Sequence, residues 1–419
     1  MSDLAERRNN AIPIGLTIMS DIFVDHAKNA EVWDKDGNRY IDFATGSSTM
    51  NVGHSHNKVV SALHSQVDKF THTFFQQLPY ESYVQLAERL NSLVPGNFKK
   101  KTALFTDGSG AVENAIKIAK AYTGRSGVVA FHGGFHGRTF LTSTITGKVQ
   151  PYKVNLGAPA PEVYHVPFPS EIDNVTTQDS INGLANLFKY VVDPSTVAAI
   201  IVEPVQGEGG FRVATAELMQ HIRQVCDTYN IVFIADEIQT GFARTGELFA
   251  MEHFDVCSDI TILSKSIGAG IPLAAVCGKA EVMDAQHAGG IGGTYNGNPL
   301  ACVAGNAVLD IIQEEDLVSR SKYLGNIVFN FLKEQQLQYN EIADVRGIGS
   351  MIAVEIYNNG NPSTELARKI QRTARSKGLV LIMAGVNMCS IRFLYPLTIP
   401  EHVLLEGLNI FKETLEEVL

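Results

Sequence analysis

The chain of 419 residues is predicted to be an α/β protein, a mainly parallel sheet covered by helices, with a second, smaller α+β domain. Three observations predict it. From about residue 100 a strand–turn–helix pattern repeats. The apolar runs GVVAF, AAIIVEP, IVFIAD, ITILSK and LAAVCG show little alternation, as strands buried on both faces do. Beyond about Leu332, DVRGIGSMIAVEIY and CSIRFLYPLT supply further strands among helices.

Taken in order, residues 1–50 read as an irregular arm followed by short strands. AEVWDKDGNRYIDF alternates around Asp36-Gly37, a hairpin signal. HNKVVSALHSQVDKF places Val59, Val60, Leu63, Val67 and Phe70 at helical spacing. ESYVQLAERLNSLVPG is a second helix, closed by Pro95-Gly96. TALFT is a strand. The helix SGAVENAIKIAKAY then puts Val112, Ala115, Ile116, Ala119 and Tyr122 on one face, with Glu113 and Lys117 as an i,i+4 pair. Past Asn298-Pro299 one long helical stretch is expected to run to about Leu332. No internal repeat or low-complexity tract interrupts the pattern.

Composition narrows the class of function. Apolar residues make up 45% and charged residues 19%, ordinary for a globular enzyme. A net charge of −10 argues against a nucleic-acid footprint, which needs a basic patch. No apolar run approaches the roughly 18 residues that span a bilayer, and MSDLAERRNN lacks the apolar core of a signal peptide. Five scattered cysteines without a CxxC are no disulfide framework. A cytoplasmic protein without membrane partners is expected.

The chemistry centres on Ile231 to Pro272. Two apolar runs there end abruptly, one at Asp236 and the other at Lys265. Ligands of parallel α/β sheets bind just outside the carboxyl ends of the strands, so the acid and the lysine face one crevice. Either residue alone is usually an ordinary strand end. As a pair they suggest a lysine that forms a Schiff base with pyridoxal 5'-phosphate (PLP) and an acid that keeps the cofactor's ring nitrogen protonated. FTDGSGAVENA is a strand, a Gly-rich turn and a helix start, where backbone N–H groups favour an anion. His132 and His136 are four apart, but the glycines around them oppose a helix and no HExxH is present. His54 and His56 are read the same way, and no metal is predicted.

In chain order, GGFHGRT, EPVQGEGG, ADEIQTGFARTG, SKSIGAG and GGTYNGNP resemble the class III (ω-amino) aminotransferases of PLP fold type I, in particular the 4-aminobutyrate (GABA) aminotransferases. The resemblance runs from RRNNAIPIG to RFLYPLTIP. It implies a large PLP-binding domain at 56–305 and a small domain at 306–419, joined by the N-terminal segment 1–55. For the cofactor it implies Gly108 and Ser109 at the phosphate and Phe135 stacked on the ring, with His136 beside it. Gln239 would bind the ring oxygen, Asp236 the ring nitrogen, and Lys265 the cofactor itself before becoming the base. Thr294 would reach the phosphate of a neighbouring subunit, which implies a homodimer or homotetramer with shared active sites. For the substrates it implies Ser47, Gln76, Arg138, Glu208 and Arg392. Arg138 would hold the distal carboxylate of either substrate and Arg392 the α-carboxylate of glutamate, as planar guanidinium suits carboxylates.

The implied reaction moves the amino group of GABA to 2-oxoglutarate, giving succinate semialdehyde and glutamate by a ping-pong route. Rivals are another ω-amine donor (ornithine or putrescine), an amino-acid racemase or epimerase on the same fold, and a non-catalytic binding subunit. The intact Lys265 and Asp236 oppose the last. Four positions depart from the family pattern: Asp107 for Thr or Ser, Gly110 for Glu, Ser47 for an aliphatic residue and Asn296 for Ala. Asp107 is expected to bring negative charge towards the phosphate.

Overall fold

The computed structural model describes residues 2–419. Its large sheet has seven strands: β1 (Lys100–Phe105), β2 (Gly127–Phe131), β3 (Val163–Val166), β4 (Val197–Val202), β5 (Val232–Asp236), β6 (Ile260–Leu263) and β7 (Ala274–Lys279). Their spatial order is β1-β7-β6-β5-β4-β2-β3. The neighbours from β6 to β3 are parallel, as the unbroken apolar runs predict. LAAVCG, however, runs antiparallel to both β6 and β1. The reason is length: a parallel return needs a crossover of a dozen or more residues, and residues 264–273 are too few.

Both faces of the sheet are covered. Helix α1 (Gly108–Thr123) lays Ala111, Val112, Ala115, Ile116 and Ala119 against Val128, Ile201, Ile234 and Ile262. Leu184, Leu218 and Ile222 cover the other face, against Val129, Ile200 and Phe233. Two expectations for α1 are corrected. Tyr122 is 45% exposed, because it lies in the last turn before left-handed Gly124 ends the helix. Glu113 accepts the Thr139 hydroxyl in place of the expected pair with Lys117. The long stretch after Pro299 is two helices, α2 (Pro299–Glu314) and α3 (Leu317–Gln338). They break at Asp316, whose φ is +44° and whose carboxylate caps α3.

The C-terminal sheet runs β8 (Ile342–Ile348), β9 (Met351–Asn358), β11 (Ser390–Phe393), β10 (Ile382–Ala384) in space. Its core gathers Val328, Leu332, Val354, Ile391, Phe393 and Phe411, together with Ile41 and Phe43 from the N-terminal segment. Glu31–Asp34 and Arg39–Asp42 form the expected hairpin, with Gly37 at φ +85° in its turn. The second of these strands pairs in parallel with Leu379–Val380. Fully buried Arg244 ties the parts together: it donates to Asn51 Oδ1 and to the carbonyls of Ser350 (3.2 Å) and Tyr395 (2.9 Å). Among the described residues no helix is long and apolar enough to cross a membrane.

Candidate active site

The carboxyl ends of five strands open on one cavity of about 210 Å³. β5 ends in Asp236, Glu203 follows β4, and Phe135 and His136 follow β2. Asp107, Gly108 and Ser109 follow β1, and Lys265 follows β6. Lys265 sits at φ +50°, a left-handed conformation that costs a non-glycine residue about 1–3 kcal/mol. Its flanking serines hold it there. Ser264 Oγ donates to the Leu273 carbonyl and Ser266 Oγ to that of Ser48, both at 2.8 Å. Burial pushes the Lys265 amine down to about 8, so its neutral form is within reach.

On the acid side, Asp236 Oδ2 meets His136 Nδ1 at 2.7 Å, and Oδ1 accepts from the Ile238 amide at 3.1 Å. Burial alone would lower His136, but the bond and charge of Asp236 prevail and raise it. The contact fixes the imidazole against the carboxylate, so His136 orients the acid. Glu203 brackets two walls: its carboxylate accepts from Phe135 N at 2.7 Å and from Gly207 N at 3.0 Å. Burial pushes its carboxyl up to about 7.

Residues on the cavity wall fit PLP. Gln239 is buried with neither amide atom partnered, so a donor and an acceptor await a ligand oxygen or water. A Cβ on Gly207 would lie 2.2 Å from Gln239 Oε1, so a side chain there would push the Gln239 amide from its place. The N-terminus of α1 presents Gly108 and Ser109, and helix N-termini favour anions. A Cβ on Gly137, at φ +134°, would lie 2.4 Å from Ser109 Oγ. Asp107 uses its carboxylate as the N-cap, accepting from Gly110 N at 2.9 Å.

On the substrate side, Arg392 is fully buried on β11 and donates to Glu208 Oε1 at 2.9 Å and to the Gly207 carbonyl at 3.2 Å. Its Nε has no partner. Burial pushes the Glu208 carboxyl upward, but Arg392 and Lys265 outweigh this and hold it below the usual range. Arg138 is exposed and lies over the Tyr152 ring, 5.1 Å from its centroid. Neither arginine lines this cavity, which they reach through Tyr152 and Glu208, and Ser47, Gln76 and Thr294 do not line it either. Ser47 lies in a left-handed turn, at φ +63°, beside the Ser48 carbonyl that Ser266 holds. Gln76 is exposed against Gly292, and Thr294 is exposed on the same loop.

Sequence reasoning missed three residues. Glu203 ends the run AAIIVEP just as Asp236 ends IVFIAD, so the same strand-end signal could have found it. Lys148, buried, donates to the Gly385 carbonyl at 2.7 Å, and burial lowers its amine. Tyr152 donates to Glu208 Oε2 at 3.1 Å. Both lie in irregular chain, where no periodicity marks them.

Comparison with known proteins adds an independent line. Residues 16–415 match the family model described as aminotransferase class-III. The chain is 49% identical over 417 residues to the 5-aminovalerate aminotransferase DavT of Pseudomonas putida, covering 99% of this chain and 98% of that protein. It is 46% identical over 418 residues to the 4-aminobutyrate aminotransferase GabT of Escherichia coli, again covering 99% and 98%. Among solved structures, an ornithine aminotransferase of Toxoplasma gondii matches at a TM-score of 0.89, with 28% identity and coverage of 99% and 95%. An amine transaminase of an uncultivated Pseudomonas species, in its PLP-bound form, matches at 0.87, with 27% identity and 95% of each chain covered.

Proposed function

The chain belongs to the class-III aminotransferases, and from that premise we propose that it moves the amino group of 4-aminobutyrate to 2-oxoglutarate, giving succinate semialdehyde and glutamate. PLP is its cofactor, and when bound supplies the electron sink for the pair left as a substrate proton departs. Ser109 and the first amides of α1 would hold its phosphate, Phe135 would lie against the ring, and Gln239 would bind the ring oxygen. Asp236, oriented by His136, would hold the proton at the ring nitrogen. Lys265 would be the covalent anchor and then the base that carries a proton on Nζ, a role that its amine, lowered to about 8 by burial, suits.

One observation carries the choice of substrates: the ion pair between fully buried Arg392 and partly buried Glu208. GABA has one carboxylate and glutamate two. Arg138 meets the carboxylate both share. Arg392 meets the second, and with GABA an unpaired buried arginine would cost about 3–5 kcal/mol. Glu208 removes that cost by pairing with Arg392, and yields it when glutamate arrives. A donor one methylene longer, 5-aminovalerate, needs the same charges, and the likeness to DavT favours it as the second reading. We also place Thr294 at the cofactor phosphate of a partner subunit in a homodimer or homotetramer; its exposure supports this. Five unpaired cysteines, four of them buried, support the cytoplasm as compartment.

Single-turnover rates of each half-reaction, followed at the cofactor's absorbance band, test the proposal. Glu208→Ala should slow the GABA half far more than the glutamate half, and Arg392→Ala should do the reverse. Equal losses in both halves for Glu208→Ala would overturn the exchange. Faster turnover of 5-aminovalerate than of GABA would move the donor to the second reading.

A further inference from the structure

We propose that Tyr152 is a positioning residue that couples the two arginines and sets how strongly the pocket resists a second carboxylate. The inference rests on the exchange of Glu208 for a ligand carboxylate at Arg392. Tyr152 touches Arg138 and Glu208, and through Glu208 it reaches Arg392. Its ring supports Arg138 at 5.1 Å and packs on Phe135 at 4.8 Å. Its hydroxyl donates to Glu208 Oε2 at 3.1 Å while Glu208 Oε1 accepts from Arg392 at 2.9 Å.

The backbone around Glu208 leaves it little freedom. The Glu208 carbonyl accepts from Gly385 N at 3.0 Å, and that of Gly210 from Arg346 Nε at 2.6 Å. Gly207 N is held by Glu203 at 3.0 Å. The carboxylate therefore leaves Arg392 by rotating its side chain, and that rotation breaks the Tyr152 bond. A hydrogen bond to a charged group weights the paired arrangement by about tenfold or more. A ligand with one carboxylate binds at Arg138 and leaves the pair intact. A ligand with two must first displace Glu208, so its apparent affinity is reduced by that weighting.

The sign of the resulting prediction separates positioning from mere support. Tyr152→Phe keeps the ring under Arg138 and removes only the hydroxyl. In the PLP-loaded protein, calorimetry should show glutarate, an unreactive dicarboxylate, binding about tenfold more tightly to Tyr152→Phe, with butyrate little changed. Tyr152→Ala, which also removes the ring, should weaken butyrate. Glutarate binding unchanged or weakened in Tyr152→Phe would overturn the proposal. Glu208→Ala, measured alongside, keeps the two ideas apart. If it tightens glutarate while Tyr152→Phe does not, the exchange stands and Tyr152 has no part in it. If it fails to tighten glutarate, the exchange itself falls, and the role of Tyr152 with it.

Discussion

Lys265 shows how a single residue is prepared by its surroundings. A lysine in water keeps its proton to about pH 10.4, and a protonated amine is no nucleophile. Burial lowers this one to about 8, and two serine hydroxyls hold its strained turn in place. Because the lowered value makes the neutral amine dominant above about pH 8, the pH dependence of cofactor loading has a definite sign. Stripped protein should take up PLP faster as pH rises from 7 to 9, with a midpoint near 8, as read from absorbance. A midpoint near 10 would mean that burial does not act on this amine. Lys265→Ala should keep the fold and lose both the cofactor's covalent attachment and essentially all turnover; near-native transamination would refute its role. This residue was legible because strand, polar stop and glycine turn lie within a few positions of one another. Tyr152 and Lys148 were not, since their partners at Glu208 and Gly385 lie far along the chain.

At the level of elements, helix α1 carries the clearest tension. Its N-terminus faces the site expected to bind phosphate, and Asp107, a full negative charge, caps it. A carboxylate is a good cap but consumes the Gly110 N–H and repels a phosphate nearby. Asp107→Thr keeps a capping oxygen, so stability should change by no more than about 1 kcal/mol. Retention of PLP through dialysis should improve, more so at low salt. Equal retention would show that the helix N–H groups already neutralise the charge. The helix itself was plain from its apolar spacing. The direction of β7 was not, because an apolar run does not encode which way it lies. That followed only from the short connection after β6. The break at Asp316 escaped notice for a similar reason: the apolar pattern continues through it, and only a left-handed residue ends the first helix.

For the whole molecule, acids buried in the interior help to set how stability follows pH. Glu237, next to Asp236, accepts from Thr240 Oγ1 (2.7 Å) and from the amides of Ala250 and Met251 (both 2.8 Å). Burial still pushes its carboxyl from 4.5 up to about 7. Between these values the folded protein binds more protons than the unfolded chain, so stability falls as pH rises through that window. Glu237 therefore contributes a fall in Tm between pH 5 and 8, against the opposite contribution below about pH 6.5 of His165, which burial lowers to about 4. Glu237→Gln should melt lower at pH 5, for loss of an acceptor, and should drop less by pH 8. An undiminished drop would assign the pH dependence to other groups. The pairing of Arg39–Asp42 with Leu379–Val380 acts on a different timescale, that of synthesis. The ribosome must add roughly 340 residues after the first strand before the second exists. At about 5–20 residues per second the wait is about 17–70 s. Throughout it the nascent N-terminal hairpin offers an open strand edge, the kind of surface that chaperones shield and that neighbouring polysome chains can capture.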